Sequence, residues 1–220
     1  MQKLVAGIVK FQQILFKEHK DLFAKLAKQQ NPEVLFITCS DSRIDPCLIT
    51  QTQPGDLFIC RNAGNIVPPH SLVTGGITAS IEFGVSVLGV KHIVVCGHTD
   101  CGAMKGAMNP NSVKHLHHVS NWLANSAAAR ARVEATNDSL TNDHLLELTE
   151  ENVILQLKHL ETHPAVAAKM ARKELMLHGW VYDIEHGQIY CYEAQSGGFV
   201  PVAEHYANIV ASSPKSAIEG

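Results

Sequence analysis

The chain has 220 residues, enough for one domain with a substantial core. Apolar residues make up 45 % and charged residues 18 %, ordinary values for a soluble globular protein. The formal net charge is −3 with neutral histidines, so the balance gives no support for a nucleic-acid partner, which calls for a basic face. The first apolar run, 4–9, is ended by Lys10 and is too short for a membrane span or a signal core.

Residues 5–28 are rich in helix formers and carry an apolar stripe that includes Ile8, Phe11, Leu15, Leu22 and Leu26. Asn31-Pro32 ends this helical arm, taken as 1–30. The short apolar run 34–37 reads as a strand buried on both faces. A turn at Pro54-Gly55-Asp56 precedes a second strand, 57–60, and 74–88 reads as a helix with several small residues. A third buried strand, 92–96, is followed by helices at 102–107, 113–127, 141–161 and 164–178. Residues 127–142 read as a surface loop, as does Asn109-Pro110-Asn111. Residues 180–184 and 189–193, joined through Gly187, form a final antiparallel pair. The tail, 211–220, is expected to fray. Apolar strands alternating with helices predict an α/β fold: a mainly parallel central sheet with one antiparallel edge strand, flanking helices and the N-terminal arm, all one domain over 1–220.

The six cysteines, at 39, 47, 60, 96, 101 and 191, form no Cys-x-x-Cys pair. Their spread through a long chain suits reduced thiols and not a disulfide framework. That points to the cytoplasm, or to an organelle stroma or matrix where a targeting segment has been trimmed. Cys47, Cys60, Cys96 and Cys191 read as small buried hydrophobes. Cys39 and Cys101 are different. Cys39 directly follows the first buried strand, and His98 follows the third by one glycine. In open parallel sheets, sites form beyond the carboxyl ends of strands, so both segments reach one edge of the fold. Cys101 lies where the next helix begins, and there the helix dipole favours a thiolate. Two sulfurs and one imidazole are zinc ligands, and three protein ligands leave a fourth position for water, the pattern of a catalytic site. A structural site with Asp41 or Cys96 as a fourth ligand is the alternative.

Asp41 and Arg43 are two apart and face one side of an extended segment. An Arg fork holds a carboxylate ionised and fixes its direction. A carboxylate so held can accept a hydrogen bond from a zinc-bound hydroxide and aim its lone pair. His115, His117 and His118, the densest of thirteen histidines, read as a solvated helix face.

These residues resemble a β-class carbonic anhydrase. The resemblance runs through Cys39-Ser40-Asp41-Ser42-Arg43, Pro54-Gly55-Asp56, Arg61-Asn62-Ala63-Gly64-Asn65, Gly97-His98-Thr99-Asp100-Cys101-Gly102, Asn152-Val153 and Leu177-His178-Gly179-Trp180. It implies one Zn2+ per chain on Cys39, His98 and Cys101, with an Asp41–Arg43 dyad. The implied activity is reversible hydration of carbon dioxide to bicarbonate and a proton by zinc-bound hydroxide. It also implies a homodimer or larger homo-oligomer whose cleft is shared, with no membrane or nucleic-acid partner. By register it implies substrate-binding positions at Gln30, Phe58, Ala63 and Gly102, with Gln30 and Phe58 reaching in from the partner subunit. The chain departs from some plant-like members by having Phe83 and Val87 where a tyrosine and a histidine help export protons. Phe36 stands where the bicarbonate-inhibited subgroup tends to carry tryptophan, which points to the open, non-allosteric type. Two other readings of the same site are a carbonyl sulfide or carbon disulfide hydrolase and a catalytically silent, zinc-stabilised assembly subunit.

Overall fold

In the computed structural model, which describes residues 1–71 and 74–212, the apolar runs of the sequence become one six-stranded sheet. Its strands are β1 (Val34–Cys39), β2 (Leu57–Asn62), β3 (His92–His98), β4 (Met176–Asp183), β5 (Gln188–Glu193) and β6 (Gly198–Pro201). They lie in the order β2-β1-β3-β4-β5-β6. The pairs β1–β2, β1–β3 and β3–β4 are parallel, and β4–β5 and β5–β6 are antiparallel. The architecture is the expected α/β one, with two differences at its closing edge. The strand that runs against the others, β5, is covered by the short β6, which no apolar run announced. Its turn is made by Gly197, at φ +72°, whose amide donates to the Glu193 carbonyl. The strand β4 also begins earlier than expected. The helix Pro164–Ala171 stops at Lys173, which takes φ +58° and donates its amide to the Met170 carbonyl. No glycine marks that stop, so the sequence let the helix run on to 178.

β1 and β3 are longer than their apolar runs and include Cys39 and His98 as their last residues. Backbone pairing, not hydrophobicity, sets those ends. Residues 113–127 are not one helix but the short helices Pro110–Val113 and His117–Leu123 and the 3-10 turn Ala124–Ser126. The expected loop at 127–142 instead holds the helix Ala127–Thr136. Its inward face is only Ala129 and Val133, four apart, too sparse a stripe for the period to register. The expected frayed tail lies outside the described residues from 213 on; 211 and 212 close the helix Ala207–Ser212.

Both faces of the central strands are buried. Leu35, Ile37, Ile93, Val95 and Val181 face one side and pack with Val153, Leu157 and Leu160 of the helix Leu145–Glu161. Phe36, Val94 and Cys96 face the other side. The long helix sits close because two strand positions lack a side chain. A Cβ on Gly97 would meet Thr149 and Val153 at 3.0 Å. A Cβ on Gly179 would meet Val153 at 2.9 Å, Leu157 at 3.0 Å and Tyr192 at 3.2 Å.

The N-terminal arm is helical over Gln2–Lys10, Phe11–Leu15, Phe16–Glu18 and Lys20–Leu26, with Phe11–Leu15 in a wider π turn. None of these segments has a buried residue. Its apolar stripe, with Leu4, Ile8, Phe11 and Leu15, is exposed. Among the described residues, no helix is long and apolar enough to cross a membrane.

Gly179→Ala should destabilise the protein by about 1–3 kcal/mol, since the methyl is met from three sides in a packed core. Thermal unfolding checks this. Gly7→Ala, on the open arm where a methyl meets nothing within 4 Å, should not lower the midpoint.

Candidate metal centre

β1 and β3 run in parallel with Thr38 opposite Cys96, so Cys39 and His98 reach the same edge of the sheet. After β3 the chain turns sharply at Asp100, φ +56°, and Cys101 becomes the N-cap residue of the helix Gly102–Met108. The sulfurs of Cys39 and Cys101 and a ring nitrogen of His98 then lie within 4.8 Å of one another, all buried. The two sulfurs are 4.0 Å apart.

Each ligand atom is oriented by its surroundings. The Nδ1 of His98 is 2.8 Å from the Thr99 carbonyl, which can only accept, so Nδ1 carries the proton and donates it. Nε2 is left with a free lone pair, buried and without a hydrogen-bond partner. Thr99 is itself tied to the end of β4: its amide donates to the Tyr182 carbonyl and its hydroxyl accepts from the Ile184 amide. The Cys39 sulfur accepts from the Gly64 amide at 3.4 Å. Its thiol is pulled down, first by the hydrogen bond from Cys101. The Cys101 thiol is pushed up by the neighbouring Cys39 sulfur and by burial. The pair therefore favours sharing one proton, with Cys39 the more readily ionised of the two. A buried imidazole lone pair facing a thiolate and a thiol is a donor set that fits a zinc ion, which would take the place of that proton.

Asp41 stands over this cluster. Its Oδ1 accepts from the Arg43 Nε at 2.9 Å and from the Arg43 amide at 3.0 Å, and its Oδ2 accepts from the Arg43 Nη2 at 2.8 Å. Oδ2 is 3.9 Å from His98 Nε2. The Arg43 guanidinium holds the Asp41 carboxyl well below the usual carboxylate range. Asp41 is thus ionised throughout the neutral range. Cys96, the other weighed fourth ligand, is not in the cluster; its thiol donates to the Gly97 carbonyl, and burial pushes it up to about 12. Cys60 and Cys191 are buried as expected, while Cys47 is only half-buried.

Gly102 and Ala63 lie at the rim of the cluster, both exposed, with open space around the Gly102 Cα. The Ala63 carbonyl accepts from Trp122 Nε1 at 2.8 Å. Gln30 and Phe58 are elsewhere. Phe58 pairs with Leu35, four residues before Cys39, so about 13 Å of strand separates them at ~3.3 Å per residue. Gln30 precedes β1 and is exposed. Neither approaches the metal ligands of its own chain. His115, His117 and His118 are exposed.

The family described as Carbonic anhydrase matches residues 34–189, the stretch that holds every one of these ligands and the dyad. The chain belongs to that family. A carbonic anhydrase of Pseudomonas aeruginosa is 46 % identical over 205 residues, 93 % of each chain. The solved β-carbonic anhydrase CcaA superposes with a TM-score of 0.89 at 43 % identity, covering 91 % of this chain and 98 % of that one. A tetrameric β-carbonic anhydrase of the filamentous ascomycete Sordaria macrospora gives 0.76 at 32 % identity, covering 86 % and 95 %. The chain is an enzyme of the β class.

Two supports of this carbonic anhydrase site were not singled out in the sequence. Arg61 donates through Nε to the Cys39 carbonyl at 3.0 Å and through Nη2 to the Asp41 carbonyl at 2.7 Å, which pins the segment carrying both residues. Asn152, on the long helix, donates to the Gly64 carbonyl at 3.1 Å and accepts from Ser126 and Gln156. Their presence in motifs was visible, but the backbone carbonyls to which they donate are 20 to 88 residues away.

Because the Cys39 thiol is pulled down beside Cys101, zinc loading at pH 7 should release fewer than two thiol protons per site, where two ordinary thiols would give nearly two. Calorimetric titration in buffers of different ionisation enthalpy counts the protons. A release of two from the cysteines would show that Cys39 is an ordinary thiol.

Proposed function

We propose that this chain hydrates carbon dioxide to bicarbonate and a proton, reversibly, at a zinc ion held by Cys39, His98 and Cys101. The observation that carries this reading is the ionised Asp41, held in a fork by Arg43 and set over a buried three-ligand cluster. A zinc ion there supplies a Lewis acid that ionises water near neutral pH.

The chain's own residues supply direction. Asp41 is an acceptor only, so it fixes the orientation of any hydroxyl beside it. With both Asp41 oxygens engaged by Arg43, the carboxylate stays in the dyad, which supports the open, non-allosteric type. The Gly102 amide, at the first position of its helix, is a donor for a substrate oxygen. Ala63 forms a small apolar wall that suits carbon dioxide. Gln30 and Phe58, remote from their own cluster, serve the cleft of a second copy. The uncovered apolar stripe of the arm supports such an assembly, as do the exposed Phe83 and Val87, four apart on one helical segment. Phe83 lies 6.0 Å from the Phe58 ring, ring centre to ring centre. Six free cysteines suit a reducing compartment, and we assign the protein to the cytoplasm or an organelle equivalent.

Stopped-flow hydration of carbon dioxide, with metal analysis of the same sample, tests the reading. About one zinc per chain and rapid turnover are expected. Asp41→Asn should retain zinc and lower kcat/KM about 10–100-fold, because the amide can donate and misdirect the hydroxyl. Full activity in that variant would remove the dyad from the mechanism, and faster turnover of carbonyl sulfide or carbon disulfide would reassign the substrate.

Once zinc has displaced the shared proton, the site would carry two thiolates and Asp41, and all three disfavour further negative charge. Asp41 does not titrate near neutrality, so it adds no inflection there. The kcat/KM should therefore rise with pH through an apparent pKa above the roughly 7 of a three-histidine site. A flat profile with zinc retained would contradict this charge balance.

Assembly is checked by light scattering on active protein. The double change Ile8→Asp, Phe11→Asp should shift the protein toward smaller species and lower activity with it. A fully active monomer would refute the shared cleft.

A further inference from the structure

Arg43 is held from two sides. One side is Asp41. On the other, Arg43 Nη1 donates to the Asp100 Oδ2 at 3.0 Å, and Arg43 Nη2 donates to the Asp100 backbone carbonyl at 3.1 Å. Asp100 Oδ1 in turn accepts from Lys105, on the helix that Cys101 caps. Asp41, Arg43, Asp100 and Lys105 thus alternate in sign along one chain of contacts, and the formal charges of the four groups cancel. Asp100 sits at φ +56°, a region that non-glycine residues enter at a cost and that glycine occupies freely. A strained residue that contacts a functional group points to a role for that contact. Isolated ion pairs at this level of exposure contribute little to stability, so the role to look for is orientation.

We propose that Asp100 is a positioning residue: it clamps the far side of Arg43 through its carboxylate and its carbonyl, and so fixes the direction in which Arg43 presents Asp41 to the site. The proposal rests on the reading of Asp41 as the residue that directs the reaction. Without the Asp100 carboxylate, the Nη1 end of the guanidinium loses its acceptor and turns about the Nε–Cζ bond. The fork on Asp41 then loosens, and the carboxylate gains freedom to swing toward the ligands.

Asp100→Gly tests this with fold and function separated. Glycine suits φ +56°, so the thermal midpoint should stay level or rise, and zinc content should be unchanged. Nitrogen-15 NMR of the Arg43 side chain should show restricted rotation of the guanidinium in the wild-type protein and faster rotation in Asp100→Gly. The kcat/KM for carbon dioxide hydration should fall about 10-fold. Asp100→Asn keeps an oxygen for Arg43 Nη1 and should recover part of that loss. In an Arg43→Ala background, Asp100→Gly should cost nothing more. Unchanged guanidinium rotation overturns the proposal, and so does faster rotation with wild-type turnover, or an equal loss in the Arg43→Ala background. If zinc-loaded wild-type protein does not hydrate carbon dioxide, the functional reading fails, while the rotation measurement still decides whether the clamp exists.

Discussion

The close seat of the helix Leu145–Glu161 on β3 and β4 is the contact on which the site depends. Gly97 and Gly179 leave room for Thr149, Val153 and Leu157 at distances that no side chain on the strands would permit. The helix therefore comes near enough for its polar stripe to act inside the core. Asn152 reaches the Gly64 carbonyl, and Gln156 accepts from the Val67 amide at 2.9 Å. Both side chains are buried and hydrogen-bonded, so the arrangement is specified by polar partners as well as by shape. Gly64 then presents its amide to the Cys39 sulfur. One helix thus packs the core with its apolar residues and, through Asn152, shapes the loop that borders the metal ligands.

Around that seat, the electrostatics are arranged in layers. The ligand cluster gathers negative charge at the end of the sheet. Backbone amides, the Arg43 fork and the start of the helix Gly102–Met108 oppose it from different directions. Arg61 donates to two backbone carbonyls and so does its work through geometry more than through charge. The apolar interior beneath, with Ile66 and Met104 fully buried, limits water from behind and leaves the approach through the rim.

Much of this was legible in the sequence. The runs 34–37 and 92–96 are apolar on both faces because their strands are covered on both sides, and they placed Cys39 and His98 at one edge, whereas 57–60 forms an edge strand with Ile59 exposed. The motif residues then supplied the family. What the sequence hid depended on distant partners or on backbone geometry. Lys173 adopts a left-handed conformation without being glycine, so the end of its helix carried no mark. β6 has four residues, too few for a period to show. The helix Ala127–Thr136 is mostly alanine and buries only Ala129 and Val133, so it carries no stripe of large apolar side chains. Asp100 and Asn152 were visible as motif letters, but their roles are hydrogen bonds across 57 and 88 residues of sequence.

The 4.0 Å between the Cys39 and Cys101 sulfurs has a consequence for the protein's chemical durability. A thiolate beside a thiol can be oxidised to a disulfide, and a small movement of either side chain would bring the sulfurs to bonding distance. The same electron-rich pair that suits a dication is therefore a redox liability whenever no ion is bound. A zinc ion, which has no redox chemistry of its own, would engage both sulfurs and lower their reactivity toward oxidants. Exposure to peroxide during metal starvation would convert a reversible loss of metal into a covalent one, so the supply of the ion governs how long the site survives as well as whether it is filled.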